Sequence, residues 1–508
     1  MNDGTRPESP TAQLIPPMTP LPPSAAARFS VRRLDPDQWP VDDTGRPAAP
    51  TLYAGDRVVV PGMPGRRADS AIATLGKLLG DRARVVVPRG QRERTAAYQK
   101  FDLLDRLEPH ASTVVRLVPT DADRRPVDAA PWVLRARDAG VGAGLSHVLT
   151  VAGYLQGVGY LQGVGYLQGV GYLQGVGGGA EAVGASRAPV SWAAPDPAAG
   201  TDSSHGPVVA VLDTGIGTHP WFTHGTDRDP QLDGAPIGLR FVADEDPEGT
   251  GITIDRVNGT LDPLAGHGTF VAGIVRQHCP NATLLSAPVM YGDGAADETD
   301  LLAALTDLYA YHLLACAGRI DRRPIDVLSL SMGYYAESPG AVENGSALAT
   351  VLKAFGDAGV SVVAAAGNDA TTTPFYPAGL ASATAGAVPL LAVGATDPGQ
   401  ALVSVYSNTG SWVTAYRAAT NVVSTMPTTF NAAARAALTT NGGSLPARAA
   451  VDLDDYSAGF GIWSGTSFAA PALAGDIAAA LGGGAGTDAT GRRDRLCAAV
   501  RTCLAGAS

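Results

Sequence analysis

A chain of 508 residues can hold two or three domains with sizeable cores, and at 45% hydrophobic and 17% charged residues it reads as neither disordered nor membrane-like on average. Its net charge of −11 is uneven, with 21 Lys+Arg against 17 Asp+Glu in residues 1–150 and 16 against 31 afterwards. The basic front interleaves its arginines with acids and lacks a stacked aromatic set, so docking onto the acidic remainder is expected and a nucleic-acid partner is not.

Met1 to Pro23 is proline-rich and carries Asp3, Arg6 and Glu8 without an apolar core segment. It does not read as a secretory signal, and a cytoplasmic location is the expectation, with export by another route left open. Residues 1–50 lack sustained periodicity and should be largely irregular. Residues 51–150 then read as a small α+β domain. Strands are predicted at Arg57–Pro61, Arg84–Pro88 and Thr113–Val118, and helices at Ala68–Leu79 and Thr95–Leu107.

Between Asp138 and Glu181 no Asp, Glu, Lys or Arg occurs, and Gly-Tyr-Leu-Gln-Gly-Val repeats four times from Gly153 to Val176. Two glycines and a glutamine per repeat disfavour a membrane span, and four copies are too few for a stacked solenoid. Residues 151–200 are therefore expected to be a flexible Gly-rich linker, and no membrane span is expected. Beyond it, from 201 to 508, short apolar runs alternate with helical patterns. The runs are Val208–Leu212, Val327–Leu330, Val360–Ala366 and Leu390–Val393. The helices are His267–Gln277, Glu298–Ala317, Ala347–Ala358, Phe468–Leu481 and Arg492–Leu504. This alternation predicts an α/β fold with a mostly parallel central sheet between helix layers.

Cys279, Cys316, Cys497 and Cys503 have no Cys-x-x-Cys pairing and are too few for a disulfide framework, so they read as ordinary thiols. Asp213 follows the Val208–Leu212 strand, at the sheet edge where open α/β sheets bind ligands. Taken alone, Asp213-Thr-Gly also fits a turn, or one half of an aspartic-protease dyad. His267 sits between Gly266 and Gly268 at the start of a helix. The remaining histidines, 110, 147, 205, 219, 224, 278 and 312, lack such a setting and read as surface or loop residues. Asn368 ends the Val360–Ala366 run after Gly367. Ser467 precedes an Ala/Leu-rich helix, where it fits either an N-cap or a nucleophile beside unpaired helix N–H groups.

Asp213, His267, Asn368 and Ser467 occur in that order, in Val-Leu-Asp213-Thr-Gly-Ile, Gly-His267-Gly-Thr-Phe-Val-Ala-Gly, Ala-Ala-Gly-Asn368 and Gly-Thr-Ser467-Phe-Ala-Ala-Pro. Over roughly residues 205–485 the chain resembles the subtilisin-like serine peptidases. Sedolisins share a Ser-Gly-Thr-Ser motif, but His267 and Asn368 argue against them. The resemblance implies a subtilisin-like three-layer fold and a serine endopeptidase acting on polypeptides. Its triad would be Asp213, His267 and Ser467, with Asn368 in the oxyanion hole. It also implies that Ser331, Met332 and Gly333 pair with extended substrate and that Ala365, Ala366 and Gly367 form a wall of the pocket for the residue before the cleaved bond. These small walls predict an open pocket taking apolar or aromatic side chains.

No cofactor is expected, and although Asp244, Glu245 and Asp246 are candidate calcium ligands, no complete ligand pattern supports a metal. An acidic insertion at Asp227–Asp262 and a longer one between Tyr416 and Trp463, rich in Ala, Thr and Asp, are candidates to cover the cleft. The front domain is expected to act as an intramolecular inhibitor or chaperone, or else as a recognition module. The alternative for the whole is a catalytically inactive scaffold of the same fold.

Overall fold

The apolar runs of the second half become the strands of a seven-stranded parallel sheet in a computed structural model of the chain. The structure describes residues 21–41, 45–121, 125–151, 187–191, 194–254, 256–257, 259–343, 345–382, 388–432, 439–440, 446, 448–449, 456–482 and 489–505. The Gly-Tyr-Leu-Gln-Gly-Val repeats, and most of the linker reading, lie outside these residues.

The front unit is an antiparallel sheet of β1 (Val31–Arg33), β2 (Leu52–Pro61), β3 (Ala83–Val86), β4 (Ser112–Pro119) and β5 (Gly144–Val151). Helices α1 (Ala68–Leu79), α2 (Arg89–Lys100) and α3 (Ala129–Asp138) accompany it. Helix α1 packs Ala71, Leu75 and Leu79 into a core with Val58, Val60, Val115 and Val133, following its three- and four-residue apolar spacing. Several expectations for this half need correction. Residues 21–41 contain a short helix and β1. The predicted helix Thr95–Leu107 is two helices, interrupted near Asp102, whose φ of +51° leaves the helical region. Helix α3 and strand β5 were not predicted.

The parallel sheet contains β6 (Val208–Asp213), β7 (Thr283–Pro288), β9 (Val327–Leu330), β11 (Ser361–Ala365), β12 (Leu390–Thr396) and β13 (Ala415–Ala418). Their order is β13-β12-β11-β9-β6-β7, with Thr226–Asp227 beyond β7 as the seventh. Every residue of β6, β9, β11 and β12 is buried, as befits strands covered on both faces. Helices α4 (His267–His278), α5 (Glu298–Cys316), α6 (Ala347–Asp357), α7 (Thr466–Leu481) and α8 (Ala489–Ala505) complete the three layers. A smaller antiparallel sheet pairs β14 (Val422–Thr425) with β15 (Phe460–Trp463), which also pairs with Ala188–Pro189. Among the described residues, no helix is long and apolar enough to cross a membrane.

The two halves share a sheet as well as a core. Strand β5 inserts antiparallel between β8 (Ala295–Asp297) and β10 (Met332–Gly333), both from the second half. Leu149 and Val151 of β5 enter the core formed by β6 and β9. On the flank, Tyr98 of α2 donates to Asp307 Oδ1 at 2.5 Å and Arg94 to Asp307 Oδ2 at 2.8 Å. Three histidines expected on the surface are instead buried, namely His147, His219 and His312. Burial, with Arg492 nearby, pushes His312 down to about 3, and it stays neutral.

Candidate functional site

Asp213 is the last residue of β6, and His267 the first of α4. The chain can place them together because both glycines beside the histidine are needed. Gly266 holds φ +79°, and a Cβ on Gly268 would stand 2.1 Å from the Gly215 carbonyl oxygen. His267 Nδ1 lies 2.7 Å from Asp213 Oδ1, which also accepts from the Thr214 N–H at 2.8 Å. A carboxylate only accepts, so the shared proton of the neutral ring sits on Nδ1 and Nε2 is left as the acceptor. Nε2 has no hydrogen-bond partner among the described residues. The ring packs against Trp463 and Phe468, each at 5.4 Å between centroids, and Phe468 directly follows Ser467.

Ser467 lies in the first turn of α7, where backbone N–H groups have no partner within the helix. Pro471, inside the same helix, cannot donate to the Ser467 carbonyl four residues earlier. That carbonyl accepts from Ser331 Oγ at 2.9 Å instead, while Ser467 Oγ donates to the Ser331 carbonyl at 3.3 Å rather than to His267. Helix α7 is thereby tied to the end of β9. Asn368, just past β11, accepts from the Thr466 N–H at 2.8 Å through its side-chain oxygen, and Thr466 Oγ1 accepts from the Gly367 N–H at 3.1 Å. The four residues foreseen as catalytic thus gather around the N-terminus of α7 and the ends of β6 and β11. Asp213, His267 and Ser467 are each 1% exposed and Asn368 is 7% exposed.

The segment foreseen to pair with substrate is already paired. Met332 stands opposite Val151 and Gly333 opposite Thr150, both in β5. On its other side β5 aligns Thr150, Leu149 and Val148 with Ala295, Ala296 and Asp297. An extended strand from the chain's own front unit therefore lies between these two segments, with main-chain pairing on both edges. Of the opposite wall, Ala365 ends β11, the Ala366 N–H donates to the Val393 carbonyl at 3.0 Å, and all three of Ala365, Ala366 and Gly367 are buried.

His147 of β5 is buried with Nδ1 2.7 Å from Glu298 Oε2 and Nε2 2.9 Å from Glu337 Oε2, its ring stacked on Tyr334 at 4.1 Å. Burial alone would push the imidazole down. The two carboxylates outweigh it and raise the ring to about 10, so it is held as a cation.

One residue of the site was missed. Glu248, in the first acidic insertion, is buried behind the Asp213–His267 pair. Its carboxylate takes short hydrogen bonds from Thr214 Oγ1 and Thr269 Oγ1, and the Gly268 N–H approaches it at 3.2 Å. It joins the turn after Asp213 to the start of α4. Burial pushes its carboxyl up to about 8 against the two threonine hydrogen bonds, with the Asp246 and Asp213 charges adding to the rise. The signal available in the sequence was the threonine that follows each motif residue, since two buried hydroxyls need a common partner. Asp244, a candidate metal ligand, is instead paired with Arg256 at 3.0 Å, and the Asp246 carboxylate accepts from the Glu248 N–H at 2.9 Å.

The subtilase family model matches residues 204–488, more than half of the chain. A thermophilic serine proteinase of Bacillus sp. (strain AK1) is 31% identical over 238 residues, covering 44% of this chain and 47% of that protein. Subtilisin BL of Lederbergia lenta is 30% identical over 228 residues, covering 43% and 66%. The chain thus spans about half the length of the first of these relatives. Among solved structures, fervidolysin from Fervidobacterium pennivorans aligns with a TM-score of 0.45 at 16% identity, covering 84% of this chain and 55% of that one. With its Asp, His, Asn and Ser motifs all inside the matched span, this chain belongs to the subtilase family.

Proposed function

We propose that the chain is a serine endopeptidase in which Ser467 Oγ attacks the scissile carbonyl of a polypeptide. His267 Nε2 takes the serine proton and later delivers it to the leaving amine. Asp213 fixes the imidazole tautomer and stabilises the imidazolium that forms. The Asn368 amide and the Ser467 backbone N–H donate to the oxyanion, in a site where low polarity strengthens each bond. Water then releases the acyl group by the same route in reverse. The observation that carries this reading is the 2.7 Å hydrogen bond between His267 Nδ1 and Asp213 Oδ1, on a ring packed against the residue that follows Ser467.

The front unit, residues 51–150, acts as an intramolecular occupant of the cleft. Support comes from β5, whose Thr150 and Val151 take up the edge of β10 that an extended substrate would use. A chaperone role for the same unit agrees with its shared core and its Asp307 and Glu298 contacts. Treatment with a fluorophosphonate probe tests the peptidase reading. Labelling of the wild type at Ser467, lost in Ser467→Ala and in His267→Ala, supports it. No labelling of the wild type, even once the front unit has been removed by limited proteolysis, rejects it.

A further inference from the structure

We propose that Phe375 closes the pocket for the residue before the cleaved bond (P1), so that the chain selects peptides with Gly or Ala at P1. This deepens the peptidase reading and rests on it. The wall foreseen for the pocket, 365–367, ends in Gly367, and the segment foreseen to pair with substrate, 331–333, ends in Gly333; taken as two walls, they leave between their glycines a space that from the sequence looks open. It is filled from a third segment. A Cβ on Gly333 would stand 2.6 Å from Phe375 Cε1 and 2.8 Å from Cδ1, and a Cβ on Gly367 would stand 3.2 Å from that same Cδ1. One ring carbon therefore touches both walls, so the ring spans the gap.

The ring has little freedom to leave. Phe375 is 1% exposed and lies 5.0 Å, centroid to centroid, from Tyr335. Tyr335 donates to Asp369 Oδ2 at 2.6 Å and accepts from Asn408 Nδ2 at 2.9 Å, and that same amide nitrogen donates to the Ala366 carbonyl at 2.9 Å. The next residue, Tyr376, exchanges two 2.8 Å backbone hydrogen bonds with Tyr334, which follows Gly333. Phe375 is thus pinned from behind by Tyr335 and along the chain by Tyr376. A large P1 side chain would have to displace a close-packed aromatic ring, whereas a methyl group or hydrogen would not. The sequence directly after β5 agrees, since Ala152-Gly153 carries only small side chains.

The test uses the full chain, with competent sites counted by fluorophosphonate titration, on peptides differing only at P1 as Gly, Ala, Val, Leu or Phe. The expected wild-type profile favours Ala over Phe in kcat/KM by roughly tenfold or more, the scale on which a pocket rejects oversized groups. Phe375→Gly and Phe375→Ala should each raise the Phe-to-Ala ratio by about tenfold or more. Wild-type cleavage after Leu or Phe at least as fast as after Ala overturns the proposal, as does a titrated wild type that cuts none of the set. An unchanged ratio in variants whose serine still titrates also overturns it. If the variants do not titrate, the wild-type profile alone decides. A wild type with no titratable serine, even once the front unit has been removed by limited proteolysis, defeats the peptidase reading itself, and this inference with it.

Discussion

Asn368 and Glu248 stand on opposite sides of the proposed relay, and each makes a separable prediction. Asn368→Ala removes one oxyanion donor, and kcat should fall about 10²–10³-fold with KM little changed, as steady-state kinetics would record. Its side-chain oxygen also accepts from Thr466, so Asn368→Asp, which keeps that acceptor but not the donor, should be equally slow. Glu248 carries a different consequence. Its folded-state value of about 8 exceeds the ordinary 4.5, so between those values the folded chain binds one more proton than the unfolded chain. Stability is then lost as pH rises from about 4.5 towards 8, by on the order of 3–5 kcal/mol. Glu248→Gln, which cannot ionise, should flatten this loss. Thermal unfolding at pH 6 and 8.5 checks it, and an equal drop in melting temperature for both proteins would contradict it. At this scale the four motif residues were legible because each sits in a distinctive local setting. Glu248 and Phe375 were not, because their roles come from partners distant in the chain: Thr214 and Thr269 for one, Gly333 and Gly367 for the other.

Strand β5 is the element on which the front unit's role turns. Its His147 is held as a cation by Glu298 and Glu337, and the carboxyl of Glu337 is held below its ordinary 4.5 against burial by that same imidazolium. The contribution of His147 to docking is fully present below its ordinary value of 6.5 and is lost as pH rises towards about 10. The contribution of Glu337 is present above 4.5 and is lost as pH falls through its depressed value. Docking should therefore be strongest between about 4.5 and 6.5 and weaken on the alkaline side. Hydrogen exchange of residues 144–151 in full-length Ser467→Ala, corrected for intrinsic rates, should show this decline. His147→Gln should abolish most of it while weakening docking by about 3–5 kcal/mol, since two buried carboxylates lose their cation. Protection of β5 that rises towards pH 10 would contradict the assignment. The contrast with the parallel sheet explains what could be read in advance. Strands β6, β9, β11 and β12 are apolar runs, buried on both faces and recognisable without their neighbours. Strand β5 contains Ser146 and His147, which are buried only because Asp297, Glu298 and Glu337 meet them from the other half of the chain. Its Val148-Leu-Thr-Val151 end is apolar and β-branched, but the polar pair before it shortens the run that can be recognised.

For the molecule as a whole, the uneven charge anticipated a basic front docked on an acidic body, and the contacts are of that kind. Arg28 pairs with Asp293, Arg57 with Asp297 and Arg94 with Asp307. The extent of that docking was not legible, because the shared strand and shared core exist only once β8 and β10 have folded. The central claim is that the front unit lies in the cleft as a strand leading towards Ser467, and that this serine is a working nucleophile. Intact-mass measurement of freshly purified wild type beside Ser467→Ala, followed over time, tests it most directly. The account predicts that the wild type alone loses a front fragment, cut after β5 and before Arg187, while Ser467→Ala keeps its full mass. Equal masses in both proteins at all times, or the same cut in Ser467→Ala, would contradict it.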